Sequence, residues 1–335
     1  MTQTDFETAA LDAYTRERFG APLLSVERIG GGQSNPTYFV TTGEARYVLR
    51  KQPNGPILKG AHAVDREFRV LDALAKTDVP VPRPVLFETE TSTLGTPFYL
   101  MQRLEGRVFH DAALPGLAPE ERRALYLAMA ETLAKLHSVD PNAIGLSDFG
   151  RPGDYFERQL NRWSKQWNES PTDDIPALDI LIERLTAHRP VDDGLVAIAH
   201  GDYRMGNLMF HPKEPRVIGI LDWELATLGH PLADVGFAAM AWHSRPEDYG
   251  GIAGLELDAL GIPSEAEFVG HYMAHAKGGP PLLPFHIAFA LFRFAVIFVG
   301  IADRARQGNA AGGNAHEIAP LAARFAEIGL KIMGG

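Results

Sequence analysis

The rhythm of apolar and polar positions changes once along the chain. After an opening helix carrying Phe6, Ala9, Leu11 and Tyr14, the apolar runs are short and separated by glycine or polar turns, which predicts strands. Segments 24–29, 37–42 and 46–50 read as three antiparallel strands, joined by Gly30-Gly31-Gly32 and then by Gly43-Glu44. A helix over 62–75 sets Val64, Phe68, Leu71 and Ala75 on one face, and strands follow at 83–87 and 97–102. Beyond Gly106 the period becomes helical. It is clearest over 119–138, where Leu125, Met129, Leu133 and Leu136 fall in register, and it returns at 265–276, 285–307 and 316–332. One β-like island, 197–222, interrupts it. The pattern predicts an α+β chain of two lobes: a small antiparallel sheet with one helix over 1–104, and a mainly helical lobe over 105–335.

Composition narrows the partners. With 45% hydrophobic and 22% charged residues the chain can bury an ordinary core. A net charge of −10 repels phosphate backbones, so nucleic acid is not expected as a partner. The absence of cysteine removes disulfides, thiol nucleophiles and thiolate-bound metals, and the opening MTQTDFETAA has no secretory pattern, so a cytoplasmic setting is expected. Segment 285–302 is nearly long and apolar enough to span a bilayer. His286 and Arg293 within it, and Asp303 and Arg304 beside it, would be costly in lipid, so a buried helix and no membrane partner are expected.

The chemistry concentrates in the island, VAIAHGDYRMGNLMFHPKEPRVIGILDWE. Segments 208–210 and 216–221 flank a turn at 211–215, and the open end of such a hairpin brings Asn207 and Asp222 together. An amide oxygen and a carboxylate there suit a hard cation, magnesium bridging nucleotide phosphates. Asp202 lies five positions before Asn207 on the loop leading into that end, so it can face the same phosphate without ligating the ion. The spacing His200-x-Asp202-x-x-x-x-Asn207, followed by Asp222, matches the catalytic-loop and metal pattern of kinases. In that pattern the aspartate orients the attacking hydroxyl and accepts its proton, while the other two residues hold the metal. His200, ending an apolar strand, reads as a supporting core residue; Asp234 reads as structural, either capping a helix or bonding the loop backbone.

The first lobe supplies a second constellation. In the loop 29–35, Gly31 and Gly32 would let backbone approach phosphates and Ser34 would add a hydroxyl, although glycine runs between strands also serve as plain turns. The strand ending YVLRK places Val48 and Arg50 on one face and Leu49 and Lys51 on the other. Glu67 stands beside the apolar stripe of the following helix and needs a cation. Arg50 is the natural partner for a pair that positions nucleotide, the alternative being a solvated flank for Glu67.

Taken together, GGGQSNPTY, YVLRK, DREFRVL, PFYLMQRLEG, HGDYRMGNLMF and ILDWELATLGHPLADVG resemble the aminoglycoside phosphotransferase superfamily of small-molecule kinases. Through GDYFERQLNRW and LAKLHSVD the chain is most similar to the kinase-like domain associated with acyl-CoA dehydrogenases. The resemblance covers nearly the whole chain. It implies a protein-kinase-like two-lobed fold, ATP and magnesium as cofactors, Asp202 as catalytic base, and Asn207 and Asp222 as metal ligands. It further implies an adenine-binding hinge from Gln102 to Leu104 and a strand cation paired to Glu67. Arginine stands where protein kinases carry lysine, and adjacent Lys51 leaves open which of the two meets phosphate. DWE replaces DFG, and no APE-like segment follows, which points to a small-molecule hydroxyl as acceptor and away from protein. No acidic cluster stands near 155–167 or 285–304, which counts against an aminoglycoside; the resemblance to the domain associated with acyl-CoA dehydrogenases implies a hydroxyacyl-CoA or similar metabolite as acceptor. Two rivals are a nucleotide-binding scaffold without turnover and a metallohydrolase using His200, Asp202, His211 and Asp222.

Overall fold

Period-two alternation shapes the first hundred residues and helical amphipathicity most of the remainder. A computed structural model describes residues 4–30, 35–43, 45–55, 63–151, 153–172, 175–306 and 315–334. The chain divides into two compact units, one comprising Met1–Gly106 with Ile218–Glu224, the other Arg107–Val217 with Leu225–Gly335. A single cut after Leu104 therefore does not account for 218–224, which group with the sheet unit.

The first unit contains α1 (Thr8–Phe19), β1 (Leu23–Arg28), β2 (Thr37–Thr42), β3 (Arg46–Lys51), α2 (Val64–Leu74), β4 (Pro84–Glu88), α3 (Thr91–Leu94) and β5 (Phe98–Gln102). Its five strands run in the order β1-β2-β3-β5-β4, each antiparallel to its neighbours. One face, carrying Tyr38, Val40, Leu49, Phe98 and Leu100, packs with Leu11 of α1. The register Arg50↔Tyr99 sends these two side chains to the other face, where Phe68 of α2 lies against Phe87 and Tyr99. Lys51 shares the α1 face and is fully buried; its Nζ meets Asp5 Oδ2 and Asn54 Oδ1, each at 3.0 Å.

The second unit contains β6 (Arg107–Val108), α4 (Pro119–His137), α5 (Tyr155–Asn168), α6 (Pro176–Ala187), β7 (Ala197–Ala199) and β8 (Leu208–Phe210). The strand β9 (Val217–Ile220) carries the chain across to the first unit. There follow β10 (Thr227–Gly229), α7 (Pro231–Ala239), α8 (Leu257–Leu260), α9 (Glu265–His275), α10 (Pro284–Arg306) and α11 (Ala315–Ile332). β10 pairs antiparallel with β7, and β6 with β8. Helix α10 is long and apolar enough to cross a membrane, yet 83% of its apolar window is buried among the other helices. Its neighbours include α5, α6, α7 and α11. Helix α7 approaches its backbone closely: a Cβ on Gly236 would lie 2.5 Å from the His286 carbonyl oxygen, so only glycine fits.

Candidate active site

The loop between β7 and β8 is fixed from three sides within the second unit. Asp234, buried in the first turn of α7, accepts the backbone N–H of His200 at 2.6 Å and of Gly201 at 2.8 Å. Of the two readings open for Asp234, the loop anchor is the one observed; His230 occupies the N-cap and accepts from Leu232. Burial alone would push the Asp234 carboxyl up, but His137 Nε2 at 3.3 Å and the backbone donors hold it below the usual carboxylate range. Gly201 adopts φ 84°, and a Cβ there would lie 2.7 Å from the Leu225 carbonyl oxygen. Its own carbonyl accepts from the guanidinium of buried Arg293 on α10. The hydroxyl of Tyr203 donates to Met129 O at 2.8 Å, tying the loop to α4.

So anchored, the loop presents Asp202. His200 is fully buried and its Nδ1 accepts the Asp202 N–H at 3.2 Å, the supporting role expected of it. A short 3-10 turn, Met205–Asn207, brings Asn207 back: its amide donates to Asp202 Oδ2 at 2.6 Å and to Asp202 O at 2.8 Å. With that nitrogen committed, Oδ1 is the acceptor Asn207 has to offer a cation, which fits a hard oxygen-seeking ion. Arg204 Nε stands 3.3 Å from Asp202 Oδ1. His211 is a turn residue, its Nδ1 accepting from Lys213 and Glu214.

In the first unit Arg50 gathers three carboxylates. Its Nε lies 2.8 Å from Glu67 Oε2, and its Nη2 lies 2.8 Å from Asp222 Oδ1 and 3.5 Å from Glu224 Oε2. Of the two adjacent cations Arg50 is therefore the one paired to Glu67, and Lys51 belongs to the opposite face. Glu67 also accepts from Asn35 Nδ2 at 2.6 Å and from the Tyr99 hydroxyl at 3.1 Å. Burial works against the Arg50 charge, but Glu67 and Asp222 more than offset it, so the guanidinium is held protonated. Asp222 sits at φ 63°, a left-handed conformation that costs an L residue roughly 1 kcal/mol. Its bond to Arg50 helps hold it there.

Gln102 ends β5, opposite Tyr47, and its N–H donates to Arg83 O; Leu104 packs against Gly219. Gly31, Gly32 and Ser34 lie outside the described residues. Sequence reasoning missed Asn35, Tyr99, His137 and Arg293 as members of these networks. Only Asn35 carried a signal, ending the glycine loop.

A cavity of about 80 Å³ opens in the second unit beside Arg204, Met205 and Gly206. Its walls include His110, Tyr126, Trp242, Tyr249 and Phe294. The single carboxylate among its lining residues, Asp248, accepts from the Arg245 N–H at 3.1 Å and lies 3.4 Å from Arg324.

An antiparallel five-stranded unit, a helical unit and this anchored loop define the kinase-like fold of small-molecule phosphotransferases, and the chain belongs to the phosphotransferase enzyme family, whose profile matches residues 25–268. In sequence it is 42% identical to acyl-CoA dehydrogenase family member 11 of Gallus gallus over 93% of this chain and 41% of that protein. It is 41% identical to family member 10 of Mus musculus over 95% and 30%. The chain thus spans less than half the length of these relatives. In structure it is similar to a Ralstonia eutropha JMP134 protein provisionally named an aminoglycoside phosphotransferase, with 45% identity and a TM-score of 0.88 over 98% of both chains. Aminoglycoside phosphotransferase APH(4)-Ia, solved with AMP-PNP and hygromycin B, shares the fold at 14% identity, with a TM-score of 0.65 over 96% of this chain and 98% of that one.

Proposed function

We propose that the chain transfers the γ-phosphoryl group of ATP to a hydroxyl of a small molecule, and that the acceptor is a hydroxyacyl thioester such as a hydroxyacyl-CoA. The observation that carries the reading is the Asp202–Asn207 clasp on a loop whose backbone Asp234 and Arg293 immobilise. A carboxylate fixed in this way can orient an acceptor hydroxyl and take its proton as the bond to phosphorus forms, without reorganising first. Magnesium, when bound, would neutralise charge on the phosphates. Asn207 Oδ1 and the carboxylate of Asp222 are the groups we assign to it. Arg50, held by Glu67, is assigned to the nucleotide phosphates together with Gly31, Gly32 and Ser34, and the stretch from Gln102 to Leu104 is assigned to the adenine. The adjacent Lys51 has no part in this assignment.

The cavity supports the acceptor class. A polycationic aminoglycoside needs several carboxylates, whereas the lining offers one, already matched by Arg324, and adds Arg204 and His110 to aromatic walls. Such walls suit an apolar acyl chain bearing a hydroxyl near an anionic group. Relatives named as acyl-CoA dehydrogenase family members agree with a thioester acceptor. The test is ATP consumption and mass-spectrometric detection of phosphorylated product across hydroxyacyl-CoAs and aminoglycosides, with Asp202→Asn in parallel. Phosphate transfer to hydroxyacyl-CoA that Asp202→Asn abolishes is expected. Transfer only to aminoglycosides would overturn the acceptor, and nucleotide binding without any transfer would overturn the enzyme reading.

A further inference from the structure

Away from the loop, helices α4 and α9 pack together and are already tied by Arg123 to Glu267 at 2.7 Å and by the Tyr272 hydroxyl to His137 Nδ1 at 2.8 Å. The same pair brings together three further side chains: Glu131 of α4, and His271 and His275 of α9. One ligand-capable atom from each lies within 4.8 Å of the others. The i,i+4 spacing puts both imidazoles on one face of α9, and their ring centroids are 4.4 Å apart.

The donor chemistry is specific. Two imidazole nitrogens and a carboxylate form the donor set that tetrahedral zinc takes with three protein ligands and one open position. At zinc bond lengths the donors of a tetrahedral site stand about 3.4 Å apart, so binding would draw these atoms together by roughly 1 Å. His275 is already oriented for it, since its Nδ1 bonds the His271 carbonyl oxygen at 2.8 Å and leaves Nε2 as the nitrogen for a metal. Such a bond to backbone is what fixes the tautomer of metal-binding histidines. His275 is also the last residue of α9, where unpaired carbonyls favour a cation.

We infer that Glu131, His271 and His275 form a binding site for a zinc-class divalent ion, with water completing the coordination, that cross-links α4 to α9. The site differs from the magnesium assignment in donors and place. Magnesium calls for oxygen ligands, whereas this cluster is nitrogen-rich and contains no loop residue. Its consequence reaches the loop indirectly: His271 precedes Tyr272, which holds His137, which faces Asp234. An ion here stiffens the α9 end of that relay.

The experiment is zinc titration by calorimetry of the full chain after chelator treatment, with thermal melts at each zinc level. Wild type is expected to take up one firmly bound equivalent and to melt higher with zinc. His271→Ala/His275→Ala is expected to lose that equivalent, its affinity falling about 100-fold or more, and to show no zinc-dependent melt. Glu131→Gln is expected to weaken binding while leaving the zinc-free melt and phosphotransfer unchanged, which separates loss of a ligand from loss of fold. Equal zinc affinity in wild type and the double variant would overturn the proposal, as would a zinc-dependent melt that persists in the double variant.

Discussion

Arg50 and Glu67 form a buried ion pair, Nε to Oε2 at 2.8 Å, in which the carboxylate also accepts from Asn35 and Tyr99 while the guanidinium reaches on to Asp222. Strand β3 thereby directs Arg50 to one face of the sheet and Lys51 to the other. Their loss has different consequences.

Arg50→Met strands Glu67 without its cation in a buried setting, and about 3–5 kcal/mol of stability is expected to go with it. Arg50→Lys keeps a charge but cannot span two carboxylates with a planar fork, so intermediate stability and a raised KM for nucleotide are expected. Lys51→Met breaks the contacts to Asp5 and Asn54; it should lower the melting temperature and leave the nucleotide KM unchanged. Urea melts and ATP kinetics on the three variants check this.

Asn207→Asp replaces the amide that donates to Asp202 at 2.6 Å with a second carboxylate. Two carboxylates at that spacing share a proton, which raises one of their pKa values. The acid limb of the kcat profile should move to higher pH by about one unit or more, and kcat at neutral pH should fall. An unmoved limb would contradict the role given to the clasp.

Asp234→Asn should destabilise the fold by about 2–3 kcal/mol at neutral pH, because the amide turns a donor toward backbone donors. The sign of the pH effect follows from the lowered pKa. Stability from Asp234 is fully present above the unfolded carboxyl value of about 4 and is lost as pH falls through the lower folded value. Urea melts across this acid range should show the wild type losing stability that Asp234→Asn no longer has to lose.

His286, stacked on His230 with ring centroids 6.0 Å apart, is pushed down to about 4, chiefly by burial and then by its histidine neighbour. Between its folded value and the unfolded value near 6.5 the unfolded chain binds the extra proton. Stability should therefore rise with pH across that window, by up to about 3 kcal/mol, and level off above it. His286→Phe should flatten the rise, which denaturant midpoints from pH 4 to pH 7 would register.

Much of the fold was readable because its signals are local. The strand alternation separated Arg50 from Lys51 and the spacing of Glu67 marked it as needing a cation, but periodicity could not say which face each strand residue took. That was decided by Asp5, 46 residues before Lys51, and by Asp222, 172 residues after Arg50. The loop residues Asp202 and Asn207 announced themselves by spacing. Arg293 did not: it sits in the most apolar helix, and its partner carbonyl is 92 residues away. Strand β10 was missed because its three residues carry no alternation until β7 lies beside them. The expected membrane-length helix is indeed covered by neighbours, which hydropathy alone cannot register.

The grouping of 218–224 with the sheet unit sets an order on biosynthesis. A ribosome releases α1 to β5 long before it reaches Asp222, so the nascent sheet waits with Arg50 only partly neutralised while the loop residues emerge. Fragments ending at Gly106 should accordingly be poorly soluble or loosely packed, and chaperone demand during translation should persist until the DWE segment has cleared the exit tunnel.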